Sequence, residues 1–165
     1  MEKKYVLTDN FIVNVFGIKL FQIKCIRKIK HADIGDLGGY VESERNLSQE
    51  GDAWVYGNAR VYGDARVYGD AWVYGNAEVY GNARVYGDAE IVSNDRHCGF
   101  DCFGSANRHT HAYLTKDGSV EITCGCFRGS IEEFESRVEE THKGTIYEKQ
   151  YKAIINVIKI KFGIE

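Results

Sequence analysis

Residues 51–92 read GDAWVYGNARVYGDARVYGDAWVYGNAEVYGNARVYGDAEIV, which is one six-residue unit repeated seven times. A valine or isoleucine recurs at every sixth position from Val55 to Ile91, and an alanine recurs in the same frame from Ala53 to Ala89. A period of six fits neither an α-helix nor a plain array of hairpins. One large and one small apolar residue in every six predicts a solenoid, in which a short strand supplies the valine and a tight corner supplies the alanine.

The variable positions of the repeat indicate how many units make one coil. Residues match best at a shift of eighteen, and less often at shifts of six or twelve. The pairs at this shift include Trp54 with Trp72, Arg66 with Arg84, Asn58 with Asn76, and Arg60 with Glu78. Three units in each coil predict a triangular parallel β-helix, and the length of the array predicts about three coils.

The repeat frame is expected to extend upstream, because Leu47 and Val41 lie six and twelve residues before Ala53 in the alanine register. A stack of so few coils is short, and its open strand edges need covering. The sequence therefore predicts a mainly β protein with three parts: an N-terminal β meander over 1–38, the solenoid over 39–92, and a C-terminal cap over 93–165 that consists of a β-hairpin and two helices.

The residues after each valine suggest how the corners and the outer surface are built. Gly followed by Asp or Asn is typical of a corner that needs a positive φ and a side chain able to bond its own turn. The tyrosine next to each inward valine is expected to point outward and to form the ladders Tyr56–Tyr74, Tyr62–Tyr80 and Tyr68–Tyr86. Trp54 and Trp72 are expected to form a fourth exposed ladder. Because solvent-exposed aromatic ladders favour subunit contact, Trp54, Trp72, Tyr56 and Tyr74 are the predicted interface residues.

The N-terminal flank of the array has a β pattern. From Tyr5 to Ile29 the apolar residues alternate and cluster around Gly17, which predicts a meander or hairpin. Lys24, Arg27, Lys28 and Lys30 form a short basic run in this segment, which is typical of a solvated face and alternatively of weak anion binding.

The C-terminal flank predicts three elements after an irregular segment at 94–111. A hairpin should turn at Asp117-Gly118. Ser130 with Glu133 forms a capping box for a first helix that ends near Gly144, and a second helix should run from about Ile146 to Phe162.

The repeats resemble the left-handed β-helix of hexapeptide-repeat proteins, with valine at the aliphatic position and alanine at the small one. Tyrosine stands here where a small or acidic residue is usual. Nearly all of the chain from Tyr5 onward also resembles a family of small bacteriophage and prophage proteins, most distinctively in GDLGGYVESERNLSQ (35–49) and CGCFRGSIEEFESRVEETHKG (124–144). The resemblance implies a left-handed solenoid and a phage origin, and it implies no known reaction.

Net charge, cysteine content and hydropathy limit which partners and which cellular compartment are expected. A net charge of −3 and a pI of about 6.0 give no global electrostatic case for nucleic acid or membrane binding. Five cysteines, an odd number in a chain with no apolar leader after Met1, predict reduced thiols in the host bacterial cytoplasm. No apolar run approaches the length of a membrane span. No cofactor is expected.

Two more specific functions, acyl transfer and zinc binding, stay open as alternatives. Hexapeptide-repeat acyltransferases use a histidine as general base on acyl-coenzyme A, but residues 51–92 contain no histidine, so fold analogy alone supports this function. A zinc site is the other alternative, although its candidate ligands have spacings unlike those of a zinc finger or ribbon. These candidates are His97, Cys98, Cys102, His109, His111, Cys124 and Cys126.

The favoured function is that of a non-enzymatic homo-oligomer, a trimer or dimer, whose surface binds a partner. A phage origin suggests counter-defence, either by sequestering a nucleotide-like host signal or by inhibiting a host defence protein; a structural scaffold is a third possibility. The array residues expected to bind such a ligand are Arg66, Arg84, Tyr68 and Tyr86, because Arg pairs with phosphate and aromatic rings stack on bases. Asn107, Arg108 and His109 are expected to complete a site between subunits.

Overall fold

The chain folds into two units, one that ends at Asn94 and one that begins at Asp95. The computed structural model describes residues 2–164. The first unit is built of strands, and the second combines four strands with the two α-helices. The protein is therefore mainly β with two helices, as the sequence predicts.

Each six-residue repeat contributes one two-residue strand to the first unit. These strands are β4 (Trp54–Val55), β5 (Arg60–Val61), β6 (Arg66–Val67), β7 (Trp72–Val73), β8 (Glu78–Val79), β9 (Arg84–Val85) and β10 (Glu90–Ile91). Each strand pairs in parallel with the strand three repeats later, which gives the ladders β4–β7–β10, β5–β8 and β6–β9. Paired residues are eighteen apart throughout, for example Arg66 and Arg84. The predicted register is confirmed.

The apolar positions of the repeat face inward. The repeated valines and Ile91 are fully buried, and the repeated alanines are at most 3 % exposed. The corners require glycine for two reasons, as Gly69 illustrates. Its φ is +74°, and a Cβ there would lie 3.0 Å from the Gly87 backbone nitrogen in the stacked repeat. A larger residue would therefore be strained by its own backbone and would press on the next corner.

Three longer strands precede the array: β1 (Tyr5–Val13), β2 (Lys19–Cys25) and β3 (Leu37–Val41). β1 and β2 pair antiparallel around the predicted turn at Gly17, whose φ is +79°. β3 pairs antiparallel with β2 and then parallel with β5, so the meander and the array share one sheet.

The upstream extension of the frame exists, but its predicted register is wrong. Val41 pairs with Val61, and Leu47 pairs with Val67. Both pairs are twenty residues apart, so the two upstream residues join the valine rows rather than the alanine rows. The reason is that Leu47 and Val55 are eight residues apart instead of six. The two extra residues between Leu47 and Val55 shift the repeat frame by two positions.

Two buried polar side chains donate hydrogen bonds to the backbone carbonyls at the first edge of the array. Lys4 donates from Nζ to the backbone oxygens of Ala53 at 2.7 Å and of Glu50 and Gly51 at 3.3 Å. Asn46 donates from Nδ2 to Ala65 O at 2.9 Å and to Gly63 O at 3.0 Å. Both side chains are fully buried. These side chains therefore satisfy backbone carbonyls that another strand would otherwise pair.

The predicted exposure of the two tryptophans is wrong for Trp54 and partly wrong for Trp72. Trp54 is fully buried, and its ring lies edge-on to that of Tyr5 with the centroids 6.3 Å apart. Trp72 is half-buried and stacks on His31 at 5.0 Å. The N-terminal segment covers this row of the array, so Trp54 is core rather than a surface for another subunit.

The second unit contains a four-stranded antiparallel sheet in sequence order: β11 (His97–Phe103), β12 (Arg108–Leu114), β13 (Val120–Cys124) and β14 (Phe127–Ser130). The prediction of an irregular segment at 94–111 is wrong, because most of it forms β11 and the first part of β12. Gly104 and Asn107, both with positive φ, make the turn between these strands. The predicted hairpin around Gly118 is confirmed.

The two helices are α1 (Ile131–His142) and α2 (Ile146–Phe162). Ser130 and Glu133 form the predicted capping box at the start of α1. The helices pack on one face of the sheet through an apolar core. Its helical members are Ile131, Phe134, Val138, Tyr151, Ile154, Ile155 and Ile158.

Candidate functional site

A groove of about 550 Å³ lies on the array beside the β6–β9 ladder. Arg66 and Arg84, the first residues of these two strands, line the groove together with Tyr68. Each arginine precedes an inward valine, so its side chain points outward, and both residues are exposed. Three of the four array residues predicted to bind a ligand are therefore brought together on one surface.

The arginine pair distinguishes this face from the neighbouring one. On the β5–β8 ladder, Arg60 lies opposite Glu78, and their side chains form an ion pair at 2.9 Å. On the β6–β9 ladder, Arg66 lies opposite Arg84. Adjacent strands are about 4.8 Å apart, and like charges directly opposite each other repel. Among residues 2–164, the Arg66 guanidinium has no ion-pair partner. The groove therefore concentrates positive charge that the neighbouring face neutralises.

The tyrosines show the same contrast. Tyr62 donates to Glu78 at 3.2 Å, and Tyr74 donates to Glu90 at 2.8 Å, so each tyrosine meets the residue sixteen positions later. For Tyr68 that residue is Arg84, and both line the groove. The repeat thus places a cation beside this tyrosine where the other faces have a carboxylate.

The predicted stacking of aromatic rings is confirmed for two ladders. The centroids of Tyr68 and Tyr86 are 4.7 Å apart with the planes tilted by 39°. Tyr62 and Tyr80 stack at 5.4 Å with an angle of 13°. The Tyr68–Tyr86 pair supplies an aromatic surface next to the groove, on which a flat ring can stack.

Arg45 is a third arginine in the groove, and sequence reasoning missed it. It lies in a 3-10 turn, Glu44–Asn46, which is fixed by the buried Asn46 amide. The residue stands outside the six-residue period, so periodicity gave no signal for it. Arg45 is recognised only in the structure, where its turn lies against the ladder that contains Arg66.

Two glutamates also line the groove, Glu44 and Glu50. Glu44 forms an ion pair with Lys3 at 2.8 Å, which offsets its charge. Three arginines thus line the groove, and among residues 2–164 Glu50 is not held in an ion pair. The balance favours an anionic ligand at the arginine end of the groove.

The remaining predicted ligand residues lie in the second unit. Asn107 has a φ of +48° in the β11–β12 turn, and Arg108 and His109 begin β12. His109 bonds through Nδ1 to Asp101 at 2.6 Å. Because Arg66, Arg84, Tyr68 and Tyr86 belong to the first unit, the predicted site between subunits that joins both sets stays a prediction.

The other predicted interface residues differ in how they are held. Tyr56 is 49 % exposed. Tyr74 is half-buried, bonded to Glu90, and its ring lies 4.3 Å from that of Trp72. Their role in subunit contact stays a prediction.

The histidine and cysteine candidates do not assemble into a shared cluster. His97 and His111 bond to each other at 3.0 Å, and Cys124 accepts a bond from Thr110 at 3.4 Å. All five cysteines are free thiols. Across residues 2–164, no group of three or more His, Cys, Asp or Glu is placed to hold a metal ion. Over the same residues, no helix is long and apolar enough to cross a membrane.

A family model described as YdcK Beta solenoid repeat matches residues 53–69, 59–75 and 77–90 of the chain. No curated protein matches the chain. The matched stretches all lie within the array and cover less than half of the sequence. Together with the parallel ladders, this similarity identifies a repeat β-solenoid protein and confirms that part of the prediction.

Proposed function

We propose that the protein is a non-enzymatic binding protein whose solenoid holds a planar, phosphorylated, nucleotide-like ligand in the groove beside the β6–β9 ladder. The observation that carries this proposal is the pairing of Arg66 with Arg84 in the strand register beside Tyr68, where the neighbouring ladder pairs Arg60 with Glu78. An anion placed between the two guanidinium groups would relieve their repulsion.

The groove offers separate groups for the phosphate and for the base of such a ligand. A guanidinium pairs with phosphate oxygens through two parallel hydrogen bonds, and these charge-assisted bonds are the stronger kind. The Tyr68–Tyr86 rings offer a surface for a base. A phosphate and a base in one molecule would therefore be recognised by adjacent parts of the groove.

The biological setting in this proposal is the cytoplasm of a bacterial host, where a phage protein removes a nucleotide-like defence signal. The resemblance to phage and prophage proteins supports this setting. In the same proposal the solenoid is left-handed and triangular, with about three coils, which agrees with the eighteen-residue register. Inhibition of a host defence protein would use the same surface.

Calorimetric titration tests the proposed ligand class directly. The probes are AMP, cyclic AMP and a cyclic dinucleotide, each at about 50 and about 200 mM salt, since screening weakens exposed charge contacts. We expect binding that weakens with salt. Arg66→Gln should weaken it by about 10-fold to 150-fold, which corresponds to one charge-assisted bond of about 1.5 to 3 kcal/mol.

The matched control is Arg60→Gln, the same substitution on the neighbouring ladder, where the arginine is paired with Glu78. This variant should bind the probe nearly as well as the parent protein. Equal losses in the two variants, or no binding of any probe at millimolar concentration, would show that the groove does not recognise nucleotides.

An acyltransferase is the opposing class of function. Incubation with acetyl-coenzyme A and a panel of amines, with release of free coenzyme A as the readout, separates it from a binding protein. Turnover above the rate without protein would replace the proposed function with catalysis.

A further inference from the structure

The second unit contains a cavity of about 930 Å³ between α1 and the β13–β14 hairpin, and the proposed function makes no use of it. Its inner wall includes Cys124, Phe134, Val138 and Tyr151, each at most 6 % exposed. The cavity therefore reaches the apolar core of this unit. Phe127 and His142 also line the cavity and are partly exposed, so an apolar body that enters it would contact these two rings.

Four aromatic rings contribute to the lining, those of Phe127, Phe134, His142 and Tyr151. Phe127 and Phe134 have centroids 5.0 Å apart, and Phe134 meets Tyr151 edge-on at 5.6 Å. His142 stacks on Tyr151 at 5.5 Å with an angle of 27°. Rings arranged in this way offer both faces and edges to a flat aromatic guest.

Arg108 supplies an uncompensated positive charge to the same cavity. Two other arginines line it, and each has a carboxylate neighbour: Arg128 lies 2.8 Å from Glu121, and Arg137 lies 3.8 Å from Glu140. Arg108 has no such neighbour among residues 2–164. Its charge is therefore available to a ligand.

The β13–β14 turn is built to let the Arg108 guanidinium lie against it. A Cβ at Gly125 would be only 2.7 Å from Arg108 Nη1 and 3.0 Å from Cζ. Gly125 also has a φ of +61°, as the first residue of a tight two-residue turn. The glycine thus serves the turn and leaves room for the guanidinium.

The Tyr151 hydroxyl is a second polar group of this wall, 3.7 Å from the Cys124 sulfur. Burial raises the pKa of Tyr151 to about 12, and Cys124 acts in the same direction, while the charge of Arg108 opposes them. At neutral pH the hydroxyl therefore stays protonated and is able to donate a hydrogen bond.

Glu132, Glu133 and Glu140 also line the cavity, and they limit the charge of its ligand. A group with several negative charges would be repelled by these carboxylates, whereas a single anion beside Arg108 would not need to approach them. We propose that this cavity binds a small aromatic acid, with the flat ring system against the partly exposed rings of Phe127 and His142 and one carboxylate or sulfonate at Arg108. The site is independent of the nucleotide groove, because Arg66 and Arg84 belong to the other unit.

Backbone NMR with 1-naphthoate as the probe tests the proposal on the intact chain. We expect saturable shifts of amide signals at 124–128 and 134–142. Arg108→Gln should weaken binding about tenfold or more, since it removes a charge-assisted contact. Arg128→Gln is the matched control, because this arginine lines the cavity but is paired with Glu121, and it should change the affinity less than about twofold.

Two further probes define the ligand class. 1-Naphthamide, which keeps the ring and loses the charge, should bind more weakly than 1-naphthoate. Decanoate, which keeps the charge and loses the ring, should also bind more weakly. If either analogue binds as well as 1-naphthoate, the proposed combination of ring and anion is wrong.

Two exposed thiols provide an independent readout. Cys126 lines the cavity, whereas Cys102 does not, and both are exposed. Bound 1-naphthoate should slow the alkylation of Cys126 by iodoacetamide and leave Cys102 unchanged, as mass spectrometry would show. The proposal is overturned if 1-naphthoate protects neither thiol, if its shifts fall outside the cavity, or if Arg108→Gln and Arg128→Gln bind it equally.

Discussion

The Lys4 ammonium lies 2.7 Å from the carbonyl oxygen of Ala53, in a position from which solvent is excluded. Lys4→Met would keep the apolar stem and remove the donor, so the carbonyls of Ala53 and its neighbours would lose a buried partner. We expect the free energy of unfolding of the first unit to fall by about 1 to 3 kcal/mol at pH 7.5. Tryptophan fluorescence in a urea titration measures this unit alone, because Trp54 and Trp72 both belong to it.

Lys3→Met is the control for that measurement. Lys3 is half exposed and forms a surface ion pair with Glu44, which is worth at most about 1 kcal/mol. A loss at Lys4 no larger than that at Lys3 would mean that the buried ammonium does not stabilise the edge of the array.

Lys4 should also make the stability of the first unit depend on pH. Burial lowers the pKa of Lys4 from its ordinary 10.5 to about 8, and the nearby Asp52 opposes this effect. Below about pH 8 the ammonium is protonated in both the folded and the unfolded chain. Between about pH 8 and 10.5 the folded chain has released this proton and the unfolded chain retains it, so the Lys4 contribution to stability rises with pH.

Comparison of the parent protein with Lys4→Met at pH 7.5 and 9.5 isolates this effect. Burial raises the pKa of both Tyr5 and Cys25, which lowers stability at alkaline pH in both proteins. The difference in unfolding free energy should therefore shift in favour of the parent protein by about 2 kcal/mol between pH 7.5 and 9.5, because the folded chain releases the Lys4 proton near pH 8. A difference that is constant with pH would contradict the lowered pKa.

Gly104 and Gly118 offer a matched pair of substitutions in the second unit. Both have positive φ, +74° and +84°, but a Cβ at Gly104 would overlap the Tyr151 hydroxyl, whereas a Cβ at Gly118 would meet no atom within 4 Å. Gly118→Ala should cost about 1 to 2 kcal/mol through the backbone alone. Gly104→Ala should cost a further 1 to 3 kcal/mol or so through overpacking.

Circular dichroism at 222 nm during thermal unfolding measures these losses, since α1 and α2 both belong to the second unit. Equal losses at the two glycines would show that Tyr151 moves aside without cost.

The exposed aromatic surface of the array predicts self-association. Tyr56 and Tyr80 are each about half exposed, at 49 % and 53 %. We expect a dimer or trimer, and therefore a mass of two or three times 18.7 kDa by light scattering at micromolar concentration. Tyr56→Ser should shift the population toward the monomer. A single monomeric species for the parent protein would contradict the prediction.

The register of the array was predictable because identical residues mark it. Trp54 over Trp72 and Arg66 over Arg84 are visible in the sequence as matches at one shift. The co-location of Arg66, Arg84 and Tyr68 follows from that register, so part of the candidate groove was predictable too. Arg45 was not, because its position depends on how a turn outside the repeat folds back.

The wrong predictions for Trp54 and β11 have a common physical cause. Both depend on contacts with segments that lie outside the repeat. The burial of Trp54 depends on Tyr5, which is far away in sequence and reaches it only through the meander. The strand β11 was missed because its residues, HCGFDCF, include glycine and aspartate at positions where a strand usually has apolar or β-branched residues. In both cases contacts between distant segments decide the outcome, and periodicity contains no information about them.

The eighteen-residue pairing of the ladders restricts how a chain of this kind can grow. An insertion of eighteen residues within the array would add one strand to each ladder and return every later residue to its own row, with the Lys4 and Asn46 contacts unchanged. An insertion of six would move each later residue to the neighbouring row, so that Arg84 would no longer follow Arg66. Three repeats added between Arg66 and Arg84 would keep both residues in one row, and an arginine at the inserted position would continue the pair, whereas a single repeat added there would separate the two residues.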